Sequence, residues 1–150
     1  MEIPNIVIDT NVIVSSLRSK RGASFKLISL LTSDLFDFSI SVPLVLEYES
    51  VLFRKLNNKP YTEDDINDFL NYICKVGDKR KVYFLWRPFL KDAKDDMVLE
   101  LAIESNSDYI ITFNKNDFVG SEKFGKEILT PSEFLTKLKE KNEHIKFTNP

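Results

Sequence analysis

The chain has 150 residues, a formal net charge of −2 at pH 7, and single cysteine and histidine residues, Cys74 and His144. A chain of this length can bury roughly 70% of its unfolded surface as one domain, and one Cys and one His exclude an internal disulfide and a Cys/His zinc site. The slightly acidic balance weighs mildly against binding nucleic acid mainly through phosphates. Without an apolar run of ~20 residues or a signal-peptide pattern, we expect a soluble, cytoplasmic protein that makes no contact with a membrane.

Strand and helix patterns alternate along the whole chain. In chain order they predict a strand at 5–9, helices at 10–20 and 23–33, a strand at 36–42, helices at 44–56 and 60–77, a strand at 81–86, a helix at 94–105, strands at 108–112 and 127–130, and a helix at 130–141. Such alternation is typical of an α/β fold, here three-layer α/β/α with a mainly parallel twisted sheet covered on both faces. We expect one domain over 1–141 and a polar tail over 142–150.

Two of the predicted helices begin with a capping-box pattern. Thr62 is followed three residues later by Asp65, and Thr130 by Glu133 with Pro131 between them. In this pattern each side chain bonds a backbone N–H of the other residue. We therefore expect both helices to start at these positions.

Carboxylates follow the predicted strands at several separate places. In open α/β sheets, sites form outside the carboxyl ends of the strands. The polar residues expected at that edge are Asp9, Glu47, Asp92, Asp95, Asp96, Thr112, Asn114 and Asp117. Four separate segments would thus deliver acids to one edge of the sheet.

Helical phase separates two pairs of neighbouring acids. Glu47 flanks the apolar face of its helix and is only weakly preferred over Glu49 on the other flank. Asp95 falls on the inward stripe between Leu99 and Ala102, whereas Asp96 lies further round. Glu47 and Asp95 are therefore the better candidates for the site.

Clustered carboxylates repel one another, and a hard divalent cation relieves that repulsion. Such an ion polarises a phosphoryl oxygen and lowers the pKa of a bound water, which is the chemistry of phosphodiester hydrolysis. A metal-free ribonuclease would need an acid and a base, most often His, and His144 lies in the polar tail. Structural roles stay open, because Asp9 could cap a helix and Lys115 could pair with an acid.

Three segments resemble a known family. IVIDTNVIVSSL near the start, SVPLVLEYESVL in the middle and DAKDDMVLELAIESNSDYIITFNKNDF later are similar to PIN domains, over about residues 3–135. The resemblance is nearest to the PIN-domain toxins of bacterial and archaeal type II toxin–antitoxin systems. It implies a metal-dependent endoribonuclease that uses Mg²⁺ or Mn²⁺, acts on RNA, forms a homodimer and is inhibited by an antitoxin protein.

The resemblance also implies the roles of individual residues. It carries the family's acids onto Asp9, Glu47, Asp95 and Asp117 as catalytic and metal-binding groups. Thr10, Asn11, Asp96, Thr112 and Asn114 would support them. An early aspartate of many relatives is replaced by Asn114, which leaves the fourth metal-facing group open between Asn114 and Asp117.

Three other functions fit parts of this pattern. A housekeeping RNA-processing nuclease would share the same chemistry, and a PIN-like binding module would share only the fold. A phosphatase with an aspartyl nucleophile would need a second aspartate two residues after Asp9, where this chain has Asn11.

Overall fold

The computed structural model describes residues 3–57, 60–82 and 89–142. Its strands are β1 (Asn5–Ile8), β2 (Asp37–Ile40), β3 (Asp78–Lys79), β4 (Tyr109–Ile111) and β5 (Glu127–Leu129). Its α-helices are α1 (Thr10–Arg18), α2 (Ala23–Ser29), α3 (Val42–Leu56), α4 (Glu63–Val76), α5 (Ala93–Glu104) and α6 (Pro131–Lys141). Two 3₁₀ turns, Lys115–Phe118 and Ser121–Phe124, lie between β4 and β5.

The strands form one parallel sheet in the order β3-β2-β1-β4-β5. The chain moves outward from β1 to β2 and β3, and then crosses to the other side of β1 for β4 and β5. The order therefore reverses between β1 and β4. In sheets of this kind a crevice opens outside the carboxyl ends of the strands at such a switch point.

Helices cover both faces of the sheet, which confirms the expected three-layer α/β/α fold. Helices α6, α2, α1, α3 and α4 contact one another in that order, whereas α5 packs on β1, β2 and β4. Right-handed crossovers explain why α5 lies on the other face. The connection from β3 to β4 crosses the sheet in the opposite direction to the connections from β1 to β2 and from β2 to β3. The strand residues in the centre, such as Ile6, Val7 and Ile8, are fully buried between the two layers.

Both capping boxes form as predicted. The Thr62 hydroxyl accepts from the Asp65 N–H while the Asp65 carboxylate accepts from the Thr62 N–H, and Thr130 and Glu133 exchange the same pair of bonds. The start of α3 differs from the prediction, because Ser41 leaves the strand to cap the helix and accepts from the Leu44 N–H at 3.3 Å. Strand β2 therefore ends at Ile40.

Other boundaries also differ from the sequence prediction. Helix α1 ends at Arg18 because Ser19 is extended, and α2 ends at Ser29 because residues 30–33 form tighter turns. The strand predicted at 81–86 falls largely outside the described residues, and its described part, Lys81 and Val82, is not in a strand. The edge strand is instead β3, Asp78–Lys79.

None of the helices within the described ranges is long and apolar enough to cross a membrane. The tail predicted from residue 142 lies, apart from Asn142, outside those ranges.

Candidate active site

Asp9 is held at the carboxyl end of β1 by two hydrogen bonds to its side chain. Its Oδ1 accepts from the Thr10 N–H at 2.8 Å, and its Oδ2 accepts from the Thr112 hydroxyl at 2.7 Å. Its own backbone N–H donates to the Ile111 carbonyl at 2.9 Å and so extends the pairing of β1 with β4. Asp9 therefore caps α1, as one interpretation of the sequence held, and also faces the neighbouring strand end.

Thr112 connects the ends of β1 and β4. Its buried hydroxyl accepts from the Asn11 side-chain amide at 3.3 Å and from the Asn114 N–H at 3.0 Å. With two donors already pointing at it, the hydroxyl has its own proton free to donate to Asp9. Thr112 thus contacts Asp9 directly, Asn11 reaches it through Thr112, and Thr10 contributes its backbone N–H to that carboxylate.

Tyr48 fixes the position of α3 relative to Asp9. Its fully buried hydroxyl donates to the carbonyl of Ile8, the residue before Asp9. Glu47 precedes Tyr48 and turns towards the same strand end, with a side chain 19% exposed, while Glu49 points to solvent. The bond made by Tyr48 therefore sets where Glu47 stands beside Asp9.

Helix α5 presents its first turn to the same place. Asp92 caps it by accepting from the Lys94 N–H at 2.9 Å, and Asp95 is partly buried. Asp96 is 2% exposed, and its Oδ1 accepts from the N–H groups of Phe89 and Leu90 at 3.3 and 2.8 Å. Asp96 therefore holds the backbone before α5, and Asp95 is the residue of the pair that reaches the site.

The turn after β4 brings in Asn114 and Asp117, and both are exposed. Lys115, the competing partner considered from the sequence, turns away and binds both carboxylate oxygens of Glu133 at 2.9 and 3.2 Å. Lys115 therefore does not pair with the acids that line the site.

These segments line one open cleft of about 230 Å³, named here the acidic cleft. Its lining residues are Asp9, Thr10, Asn11, Val14, Glu47, Val51, Arg54, Lys55, Asp92, Lys94, Asp95, Asn114 and Asp117. The four predicted acids thus meet at the switch point of the sheet. Four basic residues that lie close together in the sequence, Arg18, Lys20, Arg21 and Lys26, are not part of this lining.

Burial and mutual repulsion disfavour the charged carboxylates in the acidic cleft. Burial is the main cause that raises the pKa of Asp9, which the charges of Asp117 and Glu47 raise further and the bonds from Thr112 and Thr10 lower. Burial, followed by the charges of Asp9 and Asp117, raises the pKa of Asp95 to about 7. A cation in the cleft would relieve this repulsion.

The donor set of the cleft suits a hydrated hard cation. It offers carboxylate and amide oxygens, the ligands of Mg²⁺, which keeps several waters and needs only one or two carboxylates. Lys94 lies 3.8 Å from Glu47, and Arg54 and Lys55 also line the cleft. These three cations face five carboxylates, Asp9, Glu47, Asp92, Asp95 and Asp117, so the lining keeps a negative balance. Within the described ranges, no group of three or more Asp, Glu, His or Cys side chains stands as a preassembled metal site.

Several residues of the site were not predicted. Arg54 and Lys55 follow Glu47 by two turns of α3 and reach the cleft from the same helix face. Asp92 was expected at this edge of the sheet but not among the catalytic acids, and Tyr48 lies on the buried face of α3 with Leu44 and Leu52. The aromatic ring of Tyr48 is typical of a core residue. No sequence pattern predicts that its hydroxyl bonds the carbonyl of a particular strand residue.

The parallel sheet, the switch point and the acidic cleft together define an α/β protein with a carboxylate-lined site. The sequence matches a family model described as PIN domain over residues 5–116, which is most of the chain. The chain therefore belongs to the PIN domain family, whose members are generally metal-dependent nucleases. The matched range includes Asp9, Glu47, Asp95 and Asn114 and ends just before Asp117. A search of curated proteins gives no match.

Proposed function

We propose that this protein is a Mg²⁺- or Mn²⁺-dependent endoribonuclease that hydrolyses RNA phosphodiester bonds. The observation that carries the proposal is that four acids from four separate segments, Asp9, Glu47, Asp95 and Asp117, line one cleft in a PIN domain. Membership of the family supports nuclease activity on RNA, and the choice of ion follows from the all-oxygen donor set.

The four acids would hold the cation, and their neighbours would fix their orientation. A bound divalent ion supplies polarisation of a phosphoryl oxygen and a lowered pKa for a bound water. Thr112 and the Thr10 N–H hold the Asp9 carboxylate in one rotamer. Tyr48 keeps Glu47 beside it, and Asp92 and Asp96 set the first turn of α5 that carries Asp95.

Two basic residues at the edge of the acidic cleft also favour RNA as the substrate. Arg54 and Lys55 are exposed on the last turn of α3 and line the cleft on the side of Glu47. Cations at this position can contact phosphates next to the one being cleaved, so a locally basic rim offsets the acidic balance of the whole chain.

The direct test is cleavage of unstructured RNA by the purified chain. We expect cleavage with Mg²⁺ or Mn²⁺, loss of cleavage in EDTA, and recovery when excess Mn²⁺ is added back. Gel analysis of an end-labelled oligoribonucleotide would follow the products. Equal cleavage with and without EDTA would contradict the proposal and point to metal-free chemistry or to a contaminating nuclease.

The finer proposal is that the chain is the toxin of a type II toxin–antitoxin system, active in the cytoplasm as a homodimer and inhibited by an antitoxin. It rests on the similarity of the segments around Asp9, Glu47 and Asp95 to such toxins. Induced expression of the chain alone should then arrest growth, measured as viable counts, while the Asp9→Asn variant at equal abundance should not. Unaffected growth at that abundance would favour a housekeeping nuclease.

A further inference from the structure

A second cleft of about 600 Å³ opens directly beside the acidic cleft and is named here the aromatic cleft. Its lining residues are Phe89, Leu90, Lys91, Asp92, Asp95, Asn116, Asp117 and Val119. Asp92, Asp95 and Asp117 line both clefts, so a chain bound across the acids would continue into this space. Its volume lies within the range of pockets that take small organic groups.

The aromatic cleft exposes apolar side chains next to charged ones. Phe89 is 40% exposed and Val119 is 70% exposed, although both stand beside the carboxylates of the site. Leaving a phenyl ring in water forgoes the free energy of burying it. An exposed ring that extends a nuclease site is the arrangement by which proteins stack unpaired nucleic-acid bases.

Phe89 is fixed in place rather than loosely exposed. Asp96 accepts from its backbone N–H at 3.3 Å, and its ring packs edge-on against Phe124 with centroids 5.1 Å apart. On another side lies Gly120 at φ +102°, where an added Cβ would stand 3.3 Å from the Phe89 ring. Asp96 on α5 therefore holds the backbone of Phe89, and residues 120–124 contact its ring before any ligand arrives, which lowers the entropic cost of stacking.

We infer that Phe89 stacks an unpaired base next to the cleaved phosphate and is a positioning residue for the bound strand. The inference rests on the proposed nuclease function and assigns it a base-binding subsite. The base would lie in the aromatic cleft while the phosphate lies over the acids. Arg54 and Lys55, which belong to the acidic cleft alone, would contact the strand on the other side.

The test uses a single-stranded oligoribonucleotide that the wild type cleaves at one mapped bond. One abasic nucleotide is placed in turn at each position around that bond, and binding is measured by fluorescence anisotropy in Mn²⁺ with the Asp9→Asn variant to prevent cleavage. We expect an abasic nucleotide at one adjacent position to weaken binding by about tenfold. Adding Phe89→Leu should remove this position dependence, and Phe89→Trp should keep it.

Tyr72→Leu is the matched control, because Tyr72 is also exposed but lies on α4 and lines neither cleft. It should leave the abasic profile unchanged. An identical profile with and without Phe89→Leu, in variants whose melting matches that of the parent, would overturn the inference, as would equal binding of duplex RNA. A flat profile in the parent would also overturn the inference, because no base would then be bound in the aromatic cleft.

The two proposals fail in different ways. Failure of the nuclease function appears as wild type that leaves unmodified RNA intact. Failure of the stacking site appears as a wild type that cleaves RNA while Phe89→Leu changes nothing in the abasic series. A wild type that neither cleaves nor binds RNA would overturn both.

Discussion

The Asp9→Asn variant is expected to lose at least about 100-fold in RNA cleavage, a loss of the size seen when a charge-stabilising group is removed from a site. The change removes one charge and keeps the shape of the side chain. Asparagine caps a helix about as well as aspartate, so the bond from the Thr10 N–H can remain. Initial rates of cleavage of a labelled oligoribonucleotide would measure the loss.

The same variant should be at least as stable as the wild type when no metal is present. Burial and the charges of Asp117 and Glu47 disfavour the ionised form of Asp9, so a neutral side chain relieves this cost. Urea unfolding would compare the two free energies. Asp68→Asn, on the exposed side of α4, is the matched control and should change neither quantity. Full RNA cleavage by Asp9→Asn would show that Asp9 acts as a helix cap and not as a metal-binding residue.

Stabilisation by Mn²⁺ should be large at pH 8 and small at pH 6. An ion at 100 times its Kd adds about 2.7 kcal/mol to the free energy of unfolding, or roughly 5–10 °C in the melting temperature of a chain of this size. Its ligands must be deprotonated, and the pKa of Asp95 is about 7 in the metal-free protein. Thermal melts with and without Mn²⁺ at both pH values would measure the difference.

The raised pKa of Asp95 also determines how the stability of the metal-free protein changes with pH. The pKa of Asp95 is raised from 3.8 to about 7, so the folded protein binds more protons than the unfolded chain across that window. The metal-free protein should therefore lose stability as the pH rises from about 4 to 7. The loss is modest, since solvent screens a partly exposed carboxylate.

Asp95→Asn separates the two effects of this residue. It should flatten the metal-free pH dependence and also reduce the shift with Mn²⁺ at pH 8. An equal Mn²⁺ shift at pH 6 and pH 8, or an undiminished shift in Asp95→Asn, would show that the ion binds elsewhere. A folded sample with no shift at either pH would favour a PIN-like binding module.

Much of the fold could be predicted because its strands and caps carry local signals. The apolar run of β1 and the capping boxes at Thr62 and Thr130 each specify structure within a few residues. Strand β3 carries no such signal, since Asp78 and Lys79 are both exposed and β3 pairs with β2 at the edge of the described sheet. The strand was instead predicted at 81–86, where an apolar run follows β3 directly.

The acids of the site could be predicted for a different reason. Parallel strands bring their carboxyl ends to one edge, so Asp9 and Asp117 had to lie near each other once the fold was known. Helical phase favoured Asp95 over Asp96, and in the structure Asp95 lines the acidic cleft while Asp96 accepts from the backbone N–H groups of Phe89 and Leu90. The roles of Tyr48, Asp96 and Phe89 depend on which backbone groups packing places opposite them, and spacing along the chain does not encode that.

The hydroxyl of Thr112 has a consequence for the order in which this protein loses its activity on heating. The two groups that hold Asp9 are the Thr10 N–H, which opens α1 directly after β1, and the Thr112 hydroxyl, directly after β4. These two interior strands are paired beyond their ends through the Asp9 N–H and the Ile111 carbonyl. Central strands open only when the whole domain unfolds, whereas exposed turns open locally. The Asp9 end of the site therefore opens only when these strands unfold, whereas the exposed turn that carries Asp117 is held by the buried Phe118 ring and by the Lys115–Glu133 ion pair.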